Sequence, residues 1–394
     1  MRAFVFTDPA LTSRAGQFVW LDLNLDDQRN AALQEKLGVE AFPTYFVVKA
    51  DDETVALRGV GAMTVAELGT FLDDARAALG GGTPSSPAEA ALYRADRLNG
   101  EGKKAEAAAA YREALDAAPP GWPPYGRAAA ALLFLHQTTD GEVKCVALAR
   151  EALDRVTGTP AAAVISLGGL DCALDLDRKD PARAVATAEA EATLRRVLAD
   201  PKTGAAADDL SSGYSSLIQA RKDAGDAAGA RKDAEAWAAF LEAQAAAAKS
   251  PEQRAVFDSH RLSAYLELAQ PERAVPMLQA SEAGLPGDYN PPARLALAYL
   301  RMKKLDEALA ASDRALPKVT GPRRLTVLQT RADIFAAKGE PAAWRETLQQ
   351  ALAYAEALPP GQRREGMIKA LKKKLEEGSG LESCVSPGNA KFKT

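Results

Sequence analysis

The chain has 394 residues, which is more than one typical hydrophobic core contains, so we expect at least two domains. The hydrophobic fraction is 47%, but only 6% of residues are aromatic and alanine is abundant, which favours closely packed helices. A net charge of −4 over this length excludes a strong field for nucleic acid or an anionic membrane, and no run of about 18 apolar residues predicts membrane insertion.

The residues that usually carry chemistry are few. The chain has two histidines, which offer little material for a metal centre or a catalytic relay. Cys145, Cys172 and Cys384 are odd in number and far apart, which fits neither a disulfide framework nor metal-ligand spacing. We therefore expect Cys145 to be a small packing residue with a buried, slow thiol and the protein to lie in a reducing cytoplasm. We predict no catalytic residue, no metal and no cofactor.

Short strand-like runs alternate with helical ones in the first eighty residues. The runs at 18–23, 44–48 and 54–58 predict strands, and residues 27–37 predict a helix that ends at Gly38. A last helix is expected to begin at Thr64, where Glu67 is placed to complete a capping box. The order indicates a small α/β domain over residues 1–79.

This region resembles the part of the thioredoxin fold that follows the active-site turn. The phrase Leu37-Gly-Val-Glu-Ala-Phe-Pro-Thr44 is similar to the family loop in which a proline with a cis peptide bond faces the active site. The resemblance implies that Phe42, Pro43 and Thr44 contact a bound peptide. The alternative is an ordinary trans proline that opens an edge strand.

The central strand and the Cys-x-x-Cys turn of that family are absent from the sequence. We expect the natural protein to be longer, with the thiol pair encoded upstream of Met1; the alternative is a degenerate module whose missing strand is replaced from elsewhere. With the thiol pair restored, the resemblance implies a thiol-disulfide oxidoreductase, and with an upstream signal peptide an exported or periplasmic one.

Residues 80–86 are rich in glycine and predict a linker, and everything from Pro87 onward predicts paired helices. Small residues recur seven apart on the returning helices, as at Ala107 with Ala114 and Ala308 with Ala315. The first positions of these pairs are spaced by 34 to 46 residues. They are 107, 145, 184, 230, 274, 308 and 344.

The runs at 102–115 and 299–317 resemble the second helix and the helix-turn-helix phrase of tetratricopeptide repeats (TPRs). The resemblance implies a mainly α protein, a TPR-like α-α superhelix preceded by the small α/β thioredoxin-like domain. We expect about seven hairpins over 87–359, a capping helix at 360–378 and a disordered tail at 379–394.

In that family the concave side is formed by first helices and binds an extended peptide or a partner helix. The leading hypothesis is a protein-interaction scaffold with a redox-inactive thioredoxin-like module, a protein or peptide partner and no nucleic acid. Two alternatives are disulfide exchange on substrates collected by the repeats and a purely structural repeat protein with a vestigial front end. The candidate contact residues on first helices are Tyr125, Arg127, Tyr214, Arg261, Tyr265 and Arg294.

Overall fold

A computed structural model describes residues 3–39, 41–79, 84–139 and 141–382. Within these ranges the chain is mainly α, with paired helices and one two-stranded antiparallel sheet near its start. All three glycines of the predicted linker, and residues 383–394 with Cys384, lie outside the described residues.

The described chain divides into two compact units. Unit 1 contains the residues up to Val19 together with Leu37–Ala248, and unit 2 contains Trp20–Lys36 together with the residues from Lys249 onward. The N-terminal region therefore contributes to both units, which its position in the sequence does not indicate.

The N-terminal elements are helix α1 (Ala31–Leu37), strands β1 (Thr44–Val48) and β2 (Val55–Val60), and helix α2 (Val65–Leu79). In the sheet Thr44 lies opposite Val60. The predicted capping box is present: the Thr64 amide donates to the Glu67 carboxylate at 2.8 Å, and the Thr64 hydroxyl accepts from the Glu67 amide at 3.2 Å. The sheet and α2 bury a small core that includes Leu57, Leu68 and Phe71.

The strand predicted at residues 18–23 is wrong. Phe18 packs against the small core, but the residues after it are irregular and Val19 is 90% exposed. A run of strand-forming residues becomes a strand only when a neighbouring strand accepts its hydrogen bonds. The described sheet contains only β1 and β2, so the thioredoxin-like arrangement is not established.

The repeats of unit 1 are four helical hairpins in which consecutive helices pack against each other. They are α3 (Pro87–Gly100) with α4 (Lys104–Asp116), α5 (Tyr125–Gln137) with α6 (Glu142–Val156), α7 (Ala161–Asp175) with α8 (Pro181–Ala199), and α9 (Ala207–Asp223) with α10 (Ala227–Ala247). Ser86 caps α3 by accepting the Glu89 amide at 3.2 Å, and Asp226 caps α10 by accepting the Gly229 amide at 2.8 Å.

Unit 2 continues the pattern with three hairpins and a last helix. They are the short α11 (Pro251–Ala255), α12 (Asp258–Glu267) with α13 (Ala274–Gly284), α14 (Asn290–Arg301) with α15 (Leu305–Ala315), α16 (Arg323–Lys338) with α17 (Pro341–Ala357), and α18 (Glu365–Glu382). Ile368 and Leu371 of α18 are buried against α16 and α17, as a capping helix requires. Helix α18 continues four residues past the predicted boundary at 378.

The small residues predicted at the helix contacts are buried in most hairpins. Ala107, Ala114, Ala308 and Ala315 are fully buried, because the lack of a large side chain lets two helices approach closely. In α8 the predicted position 184 is exposed and Ala186 is buried in its place. Helix α8 itself has alanines at many positions around its circumference, so the seven-residue spacing of small residues fits more than one of its faces.

Cys145 and Cys172 form a disulfide, which corrects the prediction of an unpaired Cys145 thiol. Cys145 lies on α6 and Cys172 on α7, and the turn between these helices brings the two Cα atoms to 6.1 Å across 27 residues of sequence. Wide spacing in sequence carries no information about proximity once two helices pack together. Because the two cysteines are bonded, cysteine usage no longer supports the prediction of a reducing compartment.

Candidate peptide-binding surface

The first helices of the unit 1 hairpins, α3, α5, α7 and α9, are joined by polar contacts between side chains. Arg127 of α5 donates to Asp96 of α3 at 2.9 Å, and Ser216 of α9 donates to Asp171 of α7 at 2.6 Å. The helices α5 and α7 also pack against each other, with Gly168 leaving room for Leu133. These four helices therefore share one face, which we call the first-helix face of unit 1.

Arg127 is the centre of a buried ion-pair network on this face. Its guanidinium contacts both oxygens of Asp96 and also Asp74 of α2 at 3.2 Å, while the Tyr111 hydroxyl donates to Asp96 at 2.6 Å. Asp96 is 0% exposed, and burial raises its pKa while Arg127 and Tyr111 oppose that rise. Arg127 was predicted to contact a partner, and here its charge compensates a buried carboxyl.

The N-terminal elements lie on the same face of unit 1. Val55 of β2 contacts α3 at Gly100, where a Cβ atom would come within 2.6 Å of the valine side chain. At the start of α9, Asp209 interacts with Glu67 of α2 and with Tyr45 of β1. Burial, Glu67 and Asp208 together raise the pKa of Asp209 to about 7. The first helices of unit 1 thus bind a polypeptide surface supplied by their own chain.

The predicted tyrosines take different positions. Tyr125 is buried beneath Arg155, whose guanidinium lies 3.8 Å from the ring centroid. Tyr265 is buried in unit 2 beside Arg273 in the same way, at 4.5 Å. Tyr214 of α9 is half-buried, with its ring 5.6 Å from that of Phe240. Of the three tyrosines, Tyr214 keeps the largest part of its side chain in contact with solvent.

In unit 2 the structure brings Arg261 and Arg294 together around one carboxyl. Asp258, at the start of α12, is fully buried; burial raises its pKa, and Ser281, Arg294 and Arg261 oppose that rise. Burial also lowers the pKa of the Arg294 guanidinium. The first helices α12 and α14 therefore present a compact charged cluster that sequence spacing alone did not connect.

The loop at 42–44 has the predicted cis peptide bond between Phe42 and Pro43. The loop is anchored on both sides: the Thr44 hydroxyl donates to the Ala41 carbonyl at 2.6 Å, and the Gly61 amide donates to the Pro43 carbonyl at 3.0 Å. Phe42 is 52% exposed at its tip. An anchored loop with an exposed ring is suited to contact with an apolar partner side chain.

Sequence analysis missed two residues of unit 2 that hold the segment around residue 26. Arg323 lies 3.4 Å from the Asp26 carboxylate, and the Gln362 amide donates to the carbonyl groups of Leu25 and Asp27 at 2.7 and 3.0 Å. These contacts join residues about 300 positions apart. The sequence feature that could have indicated this contact is a glycine in the turn before each helix, Gly321 before α16 and Gly361 before α18.

Comparisons with known proteins give solved structures of low similarity to this chain. No family model matches the chain, and no curated protein matches it. A tetratricopeptide repeat protein from Parabacteroides merdae is 14% identical, with 74% of this chain and 99% of that chain covered and a TM-score of 0.44. The TPR2AB-domain:pHSP90-complex of yeast Sti1 is 14% identical, with 74% and 98% covered and a TM-score of 0.29.

A third structure, the APC/C heterotetramer Cut9–Hcn1, is 13% identical, with 84% of this chain and 59% of that chain covered and a TM-score of 0.37. Because each TM-score is below 0.5, the assignment of helical hairpins rests on the chain's own helices and contacts. The described residues contain no group of three or more metal-binding side chains. No described helix combines the length and apolar character needed to cross a bilayer.

Proposed function

We propose that this protein is a protein-interaction scaffold of the TPR type, with first helices that bind segments of a partner polypeptide. The observation that carries this proposal is that the first helices of unit 1 already hold polypeptide: β2 packs on α3, and Asp74 of α2 accepts from Arg127 of α5. Stacked hairpins expose one such helix per repeat, so an extended partner can contact several in turn.

The predicted contact residues divide into two groups by their surroundings. Tyr214, Arg261 and Arg294 are half-buried and keep part of each side chain available for direct contact. Arg127 is also half-buried, but its guanidinium is committed to ion pairs with two aspartates. Tyr125, Tyr265 and the ion-paired Arg127 instead position the helices that carry the others.

We propose a second contact at Phe42, Pro43 and Thr44, on the module that resembles thioredoxin. The exposed Phe42 ring supports it, because aromatic side chains on anchored loops are frequent anchors of protein interfaces. The alternative function, disulfide exchange, finds no accessible sulfur in the Cys145–Cys172 pair, whose two side chains are buried.

A peptide selected from a displayed library against the full chain tests the proposal. We expect Tyr214→Ala and Arg261→Ala each to weaken its binding in solution titration by about tenfold or more, as truncation of contact residues does. Arg231→Ala is the matched control, because Arg231 is an exposed, ion-paired residue on the second helix α10. Failure to select any peptide, or equal binding by all three variants, would contradict the proposal.

We also infer that the protein works in an oxidising compartment, since persistent structural disulfides form there and are rare in the cytosol. Alkylation and mass spectrometry of the protein isolated from its native host provide the test. With the protein unfolded in denaturant, so that burial protects neither sulfur, Cys145 and Cys172 are expected to resist alkylation until a reductant is added. Labelling of both thiols in unreduced protein would place the chain in a reducing compartment.

A further inference from the structure

Residues Leu25–Ala31, which we call the strap, lie against two turns of unit 2, one before α16 and one before α18. Thr320 donates its hydroxyl to the Asp26 carbonyl at 3.3 Å, in the turn before α16. Gln362 donates to two carbonyl groups of the strap, in the turn before α18. The two turns form what we call the edge site. It consists of Tyr289, Thr320, Gly321, Arg323, Gly361 and Gln362.

Two glycines permit this close approach of main chains. A Cβ atom at Gly321 would lie 2.5 Å from the Cα and carbonyl oxygen of Asp26, and one at Gly361 would overlap the carbonyl oxygen of Ala31. Gly321 has a φ of +62°, but Gly361 does not require a positive φ. Substitution at Gly361 therefore tests the space for the strap without adding backbone strain.

The edge site contacts one charged side chain of the strap, Asp26, and several of its main-chain carbonyl groups. Helix α16 follows Pro322, which supplies no side-chain cap, and the Asp26 carboxylate accepts from the Arg323 amide at the positive end of this helix. Arg323 also pairs with Asp26 through its guanidinium and interacts with Tyr289. Gln362 is 2% exposed, and its side-chain nitrogen donates to two carbonyl oxygens of the strap.

We propose that the edge site is a docking site for an extended, acidic peptide segment of a partner protein, and that the strap occupies it in cis. A fitting segment needs a carboxylate where Asp26 lies and free carbonyl groups on the residues before and after it. Most of the contacts are to main chain, so many sequences satisfy them and a partner competes by displacing the strap. This proposal rests on the interaction function above and adds a surface on unit 2, whereas Tyr214 belongs to unit 1.

A labelled peptide of residues 22–34, followed by fluorescence anisotropy, tests the proposal on full-length protein. In Asp26→Arg the strap carries a charge that Arg323 repels, so the site becomes vacant. We expect this variant to bind the peptide at least tenfold more tightly than the wild type. Adding Gly361→Val should remove the gain, because the valine side chain occupies the position of the Ala31 carbonyl.

Hydrogen exchange on the same proteins reports strap release directly, and circular dichroism verifies that the helices remain folded. Faster exchange of residues 20–36 in Asp26→Arg is expected. If the strap stays protected, or if it is released but the peptide binds no better than to wild type, the proposal is overturned. Neither result affects the binding of a library-selected peptide that depends on Tyr214, so failure here is distinct from failure of the scaffold function.

Discussion

The N-terminal residues are held in two different ways by the two units. On unit 1 the contact is made by buried and half-buried side chains, with Asp74, Asp96 and Arg127 in one ion-pair network and Val55 in contact with α3 at Gly100. On unit 2 the strap is held by Gln362 through main-chain carbonyls and by a single carboxylate beside Arg323.

This difference leads us to expect a permanent attachment of the N-terminal residues to unit 1 and an exchangeable attachment of the strap to unit 2. A buried ion pair demands both partners, because loss of either leaves an uncompensated charge in the protein interior. Hydrogen bonds to main-chain carbonyls can be reproduced by almost any extended segment or by water. We therefore expect the unit 1 contact to determine stability and the unit 2 contact to determine binding.

The largest effect is expected from Arg127→Met. Asp96, which is fully buried, loses its compensating cation, and breaking a buried pair costs about 3–5 kcal/mol of unfolding free energy. Urea unfolding followed by circular dichroism measures the change. Arg112→Met is the matched control: its ion pair with Glu151 is exposed and is worth about 0–1 kcal/mol. Equal losses in the two variants would contradict a central role for the network.

The next largest effect concerns the disulfide in unit 1. Reduction of Cys145–Cys172 removes a constraint on a loop of 27 residues, which corresponds to about 3 kcal/mol. We expect the urea midpoint to fall when a reductant is added, whereas the double variant Cys145→Ala/Cys172→Ala should not respond to it. Strap protection in unit 2 should stay unchanged in both experiments. A reductant effect on the double variant would assign the shift to something other than this bond.

A smaller effect is expected from pH at the contact between α9 and the N-terminal elements. Asp209 has a folded-state pKa of about 7, above the unfolded value of about 3.8. The folded state therefore keeps a proton that the unfolded state loses, and stability falls as pH rises from about 4 to about 7. A difference of about 3 between the two pKa values corresponds to at most about 4 kcal/mol, and because Asp209 is only half-buried, screening by water reduces the cost we expect above pH 7 to about 2 kcal/mol.

Asp209→Asn should remove this cost, so the variant gains stability over wild type at pH 8 and not at pH 4. Unfolding free energies from urea titrations at the two values measure the gain. Asp154→Asn, on the exposed side of α6, is the matched control for loss of one carboxyl. A gain at pH 4 equal to that at pH 8 would show that titration of Asp209 is not the cause.

Sequence patterns correctly predicted the features that depend on residues close together in the sequence. The capping box at Thr64, the stop of α1 at Gly38 and the small residues of α4 and α15 each depend on neighbours within about one or two turns. The strand at 18–23 was wrong because its formation depends on a pairing partner that the described sheet does not contain.

The candidate site was predicted less completely because its contacts join distant residues. The disulfide crosses 27 residues, Arg127 reaches Asp74 across 53, and Gln362 reaches Leu25 across 337. Periodicity placed Arg127 on a first helix, but the buried carboxyl beside it lies on another helix. Whether an arginine faces solvent or a buried acid depends on tertiary packing that spacing does not encode.

The smallest effect is expected from Asp26→Asn in the strap. The amide retains the size of the carboxylate but loses its charge beside Arg323 and the start of α16. Because burial raises the pKa of Asp26 and so offsets part of this charge interaction, the expected loss is at most about 0.5 kcal/mol. Because this loss is local, hydrogen exchange should increase at the first amides of α16 and in the strap while the urea midpoint stays unchanged. Glu35→Gln, an exposed residue on α1, is the matched control. If Asp26→Asn instead lowers the midpoint as much as loss of Arg127, both attachments are structural and the strap is not exchangeable.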